Sequence, residues 1–215
     1  MNRLLITTAC AIACALLLTL TGCGGGSSDP SKQQLTGIQQ FGDSTAYLQG
    51  PDLEQRYPGL VDNQAVPGTS TAQLLAGTDG KHTEPFPFPV AADKVVIVKF
   101  GANDSLPWFN TRTDQFKANL RTIVSGIRAS GSTAVLETPD PTLDVARPNE
   151  PAYTQAMRDV AKETGAALID TDACWRAYGH WQDFIGADNE HANEKGRAYT
   201  VTNCVAPVID TILKH

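Results

Sequence analysis

The segment that most restricts the fold is Lys94-Val95-Val96-Ile97-Val98-Lys99-Phe100, a β-branched run with no polar alternation between its lysines. Such a strand suits the centre of a parallel sheet covered on both faces. Shorter segments of the same kind run from Ser132 to Glu137 and from Ala166 to Asp170, and a more polar one from Leu35 to Gln40. Between them apolar residues recur at three and four: Phe116, Leu120, Ile123, Val124 and Ile127, then Tyr153, Met157, Val160 and Ala161. A short helix is predicted over Thr71 to Leu75 and a final one from about Asn193 to Leu213. Strands alternating with helices predict a single α/β layered domain with a mainly parallel sheet. In such sheets function collects in the loops beyond the carboxyl ends of the strands, so those turns are the place to look for chemistry.

The chain's first residues read as an address rather than as fold. Met1-Asn2-Arg3 gives a positive start, Leu4 to Leu20 is almost continuously apolar, and Leu20-Thr21-Gly22-Cys23 matches a bacterial lipobox. The expectation is a signal peptide over 1–22, a diacylglycerol on Cys23, and an extracytoplasmic domain held at a lipid bilayer. An uncleaved signal anchor or ordinary secretion are the alternatives. Residues 23–34, rich in Gly and Ser, read as a flexible tether, leaving 35–215 as the folded domain. Cys10 and Cys14 leave with the signal. Cys174 and Cys204 then remain as an even pair in an oxidising compartment, where a disulfide is the default. The formal net charge of −6, with no cluster of Lys or Arg, argues against a nucleic-acid partner.

Four short motifs follow the predicted strands or precede helices. Ser44, in Phe41-Gly42-Asp43-Ser44, stands where a strand gives way to a helix, so its hydroxyl is exposed near a helix N-terminus that favours negative charge. Asn103, in Gly101-Ala102-Asn103-Asp104, follows the strongest strand and offers an amide N–H to a developing oxyanion. Asp188, three residues ahead of His191 in Asp188-Asn189-Glu190-His191, is spaced to accept the Nδ1–H and leave Nε2 free. Gly68, in Val66-Pro67-Gly68-Thr69-Ser70, offers a loop N–H as a further donor. Each alone has a plainer reading: a turn, a cap or a surface histidine. A metal ligand pair at Glu190 and His191 lacks further ligands at suitable spacing, so no metal is expected.

In this order the four motifs resemble the SGNH hydrolases, also called GDSL esterases and lipases, and His191-Ala192-Asn193-Glu194-Lys195-Gly196 is similar to that family's ending after its histidine. The resemblance spans roughly Thr36 to Leu213. It implies a three-layer α/β/α sandwich with a five-stranded, flavodoxin-like parallel sheet, and a serine esterase needing no cofactor. Ser44 would be the nucleophile, His191 the base and Asp188 its partner, with Ser44, Gly68 and Asn103 forming the oxyanion hole. Protonation of His191 predicts activity that falls below neutral pH. Departures from the family pattern are Thr45 where Leu is frequent, the polar first strand, whose core contacts are expected to be thin, and a loose second block around Gly68. The Gly-x-Ser-x-Gly elbow of α/β-hydrolases is excluded, because Ala46 stands at its last position.

Substrate is less constrained. Trp108, Phe109 and Trp181 flank the motifs and are candidates for lining the cleft, although packing under loops explains them equally well. Pro85-Phe86-Pro87-Phe88-Pro89 reads as a rigid surface loop or cleft wall. An extracytoplasmic esterase suits O-acetyl groups on extracellular or cell-wall polysaccharide. A lysophospholipase or short-chain lipase, an acyltransferase, and a non-catalytic glycan-binding lipoprotein are the alternatives.

Overall fold

The computed structural model describes residues 35–214. The signal peptide, Cys23 and the tether lie outside the described residues.

Five strands form one parallel sheet: β1 (Ile38–Gly42), β2 (Val61–Asn63), β3 (Val95–Lys99), β4 (Thr133–Glu137) and β5 (Ala167–Ile169). Their order is β2-β1-β3-β4-β5, every pair parallel, which is the three-layer α/β architecture that the resemblance implied. The chain leaves β1 for one edge and returns to β3 on the other side, so the order reverses between β1 and β3. Side-chain alternation builds the two faces. Val96 and Val98 join Phe41, Leu136 and the apolar stripes of α3 (Thr113–Ala129) and α4 (Glu150–Thr164), with Leu74 of α2 (Thr71–Ala76). Val95 and Ile97 join Ile38, Val135 and Ile169 beneath α1 (Ser44–Arg56), α5 (Thr171–Ala177), α6 (Glu194–Tyr199) and α7 (Ala206–Leu213).

Four local features differ from the sequence expectations. First, β1 begins three residues later than expected and is wholly buried despite its glutamines. Gln39 Nε2 donates to Asp62 Oδ2 (2.9 Å) and the Pro89 carbonyl (3.0 Å), and its Oε1 accepts the Ala91 N–H (3.1 Å), while Ile38 and Phe41 supply full core contacts. Second, β2 gave no sequence signal, because three half-buried residues at a sheet edge carry neither length nor apolar pattern. Third, the C-terminal helix is split by a π-helical segment, Thr200–Val205. Regular winding resumes at Ala206-Pro207, where proline has no N–H to return to the preceding turn. Cys204 of this segment is disulfide-bonded to Cys174 of α5. Fourth, the Pro-rich loop is pinned by Phe86, which is buried edge-on to Phe41 (5.8 Å). A Cβ on Gly126 of α3 would meet the Phe86 ring at 2.8 Å, so glycine is what lets the loop seat there.

Candidate active site

The turn after β1 is built around Gly42, where a Cβ would stand 2.3 Å from the Lys99 carbonyl oxygen and 2.4 Å from the Ala46 Cβ. Only glycine permits that approach. The next residue, Asp43, is completely buried and caps α1, its Oδ1 accepting the Thr45 N–H (3.0 Å) and the Thr45 hydroxyl (2.7 Å). Burial raises its carboxyl above the usual range, against the lowering effect of those bonds. Ser44 opens the helix, and its Oγ lies 2.8 Å from His191 Nε2.

The histidine comes from the loop before α6. Asp188 Oδ2 is 2.8 Å from His191 Nδ1, and Oδ1 accepts the N–H groups of Glu190 and His191, both at 3.0 Å. Asn189 takes φ 63°, turning the chain back on its own aspartate. Burial works against ionisation of Asp188, but the His191 ring and the two main-chain N–H groups outweigh it and hold the carboxyl at about 2. With the carboxylate on Nδ1–H, Nε2 is left as the acceptor facing Ser44.

Asn103 follows β3 at the point where the strand order reverses, the usual ligand crevice of doubly wound sheets. It is buried, and one of its two amide N–H groups donates to the Thr69 carbonyl at 2.9 Å, leaving the other for a ligand. That bond ties the Gly68 loop to the Asn103 loop. Gly68 itself is exposed with φ 75°, and Thr69 Oγ1 fastens the loop by donating to the Val66 carbonyl (2.7 Å). Asp104 accepts the hydroxyl (2.5 Å) and main-chain N–H (3.2 Å) of Thr71, and burial pushes its carboxyl up to about 7. Thus Ser44, Asp188 and His191 come together, and Asn103 and Gly68 are joined through Thr69.

The aromatic candidates are scattered. Trp108 is 70% exposed in a 3-10 turn, Pro107–Phe109, with Phe109 half-buried beside it. Trp181 packs at the edge of the other core face, with the Arg176 guanidinium 5.4 Å from its ring centre.

Sequence reasoning missed a layer of buried charge at the same end of the sheet. Lys99 ends β3 beside Glu137 of β4, and its Nζ reaches Gln49 Oε1 (2.6 Å), Asp140 Oδ1 (2.8 Å) and Glu137 Oε1 (3.0 Å). Burial would strip its proton; the Asp140 and Glu137 carboxylates outweigh that and hold it charged. Arg147, also buried, donates to the Ala102 carbonyl and to Glu190 Oε1. A signal existed for the first pair, since a lysine and a glutamate each end an apolar strand. None existed for Arg147, which stands in a polar loop.

Residues 24–199 match the GDSL-like Lipase/Acylhydrolase family. No curated protein sequence matches the chain. Among solved structures, a Bacillus subtilis protein aligns with TM-score 0.67 and 19% identity, over 82% of this chain and 57% of its own, so this chain spans little more than half of it. A lipase/acylhydrolase from Enterococcus faecalis aligns with TM-score 0.61 and 22% identity, over 82% of this chain and 94% of its own. An acetylxylan esterase from Geobacillus stearothermophilus aligns with TM-score 0.62 and 18% identity, over 82% and 96%. At these identities the structures speak for the fold, whereas the family match covers most of the sequence. The chain therefore belongs to the GDSL-like lipase/acylhydrolase family, and it is a serine ester hydrolase.

Proposed function

We propose that the protein hydrolyses carboxylic esters through an acyl-enzyme on Ser44, with O-acetyl groups of extracellular or cell-wall polysaccharide as its substrates. The observation that carries this is the unbroken relay from Ser44 Oγ to His191 Nε2 (2.8 Å) and from Nδ1 to Asp188 Oδ2 (2.8 Å). His191 removes the serine proton as Oγ attacks the ester carbonyl. The ionised Asp188 steadies the imidazolium, and the oxyanion is met by the free Asn103 N–H and the main-chain N–H groups of Ser44 and Gly68. The imidazolium then returns its proton to the departing alcohol. Water, activated by the same nitrogen, releases the acid.

The fold likeness to an acetylxylan esterase, whose catalytic variants replace a serine or a histidine by alanine, supports an acetylated glycan substrate. The lipobox ending at Cys23 supports placement at a membrane outside the cytoplasm, within reach of envelope glycans. The test is hydrolysis of p-nitrophenyl esters from acetate to palmitate, and of acetylated xylan, by the full-length protein and its Ser44→Ala variant. Activity on acetate and xylan that disappears in Ser44→Ala is the expected result. An optimum at long acyl chains would instead identify a lipase-like enzyme, and residual activity equal in both proteins would overturn the serine mechanism.

A further inference from the structure

Glu190 has no part in the mechanism above, yet its Oε1 lies 3.6 Å from His191 Nε2, the nitrogen that must take the Ser44 proton. His191 is thus flanked by two carboxylates, Asp188 at Nδ1 and Glu190 beside Nε2. The second is a hazard. An unrestrained carboxylate there would capture the Nε2–H of the imidazolium and draw the ring from Ser44 and from the leaving alcohol.

Arg147 removes that freedom. Its side chain is 4% exposed, Nη2 pairs with Glu190 Oε1, Nη1 donates to the Ala102 carbonyl, and Nε lies 3.2 Å from Asp144 Oδ2. One planar guanidinium therefore spans the loop carrying Asn103 and the loop carrying His191, as its fixed fork of donors allows. The segment that carries Arg147 is also stitched directly to the His191 loop. The Asn189 carbonyl accepts the Leu143 N–H (2.9 Å) and the Thr142 hydroxyl (2.9 Å), so residues 142–147 lie along the Asp188–His191 loop.

We propose that Arg147 is a positioning residue of the active site, which neutralises and pins Glu190 so that His191 Nε2 stays available to Ser44. This rests on the serine-esterase reading. The charged surroundings are defined on every side. Asp188 and Glu190 share the histidine's loop, while Asp144, Glu150 and Asp43 face Arg147. From α6, Arg197 donates to the Ala192 carbonyl (2.9 Å) and pairs with Asp52 of α1 (3.1 Å).

The test compares Arg147→Met, Glu190→Gln and the double variant, by pH–rate profiles on p-nitrophenyl acetate and by NMR titration of the His191 ring without substrate. Unmasking Glu190 in Arg147→Met is expected to move the His191 titration, and the acid limb of the rate profile, upward by about one pH unit. Its rate falls most on the acid limb, by up to roughly tenfold well below the titration midpoint. Glu190→Gln moves the titration downward, and the double variant recovers most of the lost rate. A merely structural Arg147 predicts loss at every pH, an unmoved titration and no recovery in the double variant; that result overturns the proposal. If Arg147→Met does not fold, Arg147→Gln, which removes the charge but keeps donors for the Ala102 carbonyl, takes its place in the same three-way comparison, and an unmoved His191 titration there overturns the proposal. A wild type inert on esters, with the titrations moving as expected, would sink the esterase reading and not the clamp.

Discussion

Among the described residues the same local device occurs twice, and only one copy faces Ser44. In Asp79-Gly80-Lys81-His82, Asp79 Oδ1 accepts the N–H groups of Lys81 (3.0 Å) and His82 (2.8 Å), and Oδ2 meets His82 Nδ1 at 2.6 Å. Asp188 binds Glu190 and His191 in the same pattern. The residue after each aspartate has positive φ, 88° at Gly80 and 63° at Asn189. They part at Nε2. His82 Nε2 lies 3.3 Å from Gln64 Oε1, its ring packs against Phe41, and its side chain is 8% exposed. His191 is 24% exposed, with Ser44 Oγ at its Nε2. An Asp-x-x-His string therefore anchors a histidine ring through Nδ1; what its Nε2 meets is decided elsewhere, for His191 by a segment 147 residues away.

The comparison breaks most sharply in activity. Replacing His191 by Gln should lower kcat by about 10⁴ or more, while His82→Gln should leave the rate of the folded protein essentially intact. Ester hydrolysis at matched folded fractions checks this, and a dead but folded His82→Gln protein would end the distinction. A carboxylate without a histidine sharpens it next. Asp104 is more deeply buried than Asp79 and is met by Thr71 rather than by a histidine, so burial raises its carboxyl to about 7 where Asp79 is lowered. The raised group costs stability as pH climbs from the unfolded value near 4 through 7. Asp104→Asn should therefore gain about 2–4 kcal/mol over wild type between pH 4 and pH 8 in urea unfolding, and no gain would refute the assignment.

Stability should rank the two dyads opposite to activity. His82→Ala strips a partner from a buried carboxylate and should cost about 1–3 kcal/mol, whereas His191→Ala should cost less than about 1. Equal losses would mean that burial does not separate the pairs. The smallest effect is in acid. Both aspartates are held low, so each contributes stability that is present above pH 4 and lost as pH falls toward 2. Melting temperatures followed down to pH 2.5 should flatten more in Asp79→Asn than in Asp188→Asn, since the Asp188 side chain is 53% exposed.

Legibility followed the reach of each interaction. The β3 strand and the stripes of α3 and α4 could be read, because their burial patterns repeat within the segment itself. The edge strand β2, the π-helical segment and the seating of Phe86 could not, since each depends on a neighbour distant in sequence. Ser44, Asn103 and the Asp188–His191 pair stood out by following strands or preceding a helix in a family order. Asp79–His82 carries the same string without that context and went unremarked. Arg147 and Glu190 resemble ordinary solvated charges until tertiary packing pairs them, whereas Lys99 and Glu137 left a trace as charges that end apolar strands.

The bond between Cys174 and Cys204 closes a ring around a sequence separation of 30, and both Asp188 and His191 lie on that ring. A protease cutting at the exposed residues Asp188 or Asn189 would open the ring without releasing either piece, because the crosslink still joins them behind the cut. A nicked molecule would keep its mass under non-reducing conditions and come apart only with a thiol present. The loop that carries Asp188 and His191 is thus tethered from both ends.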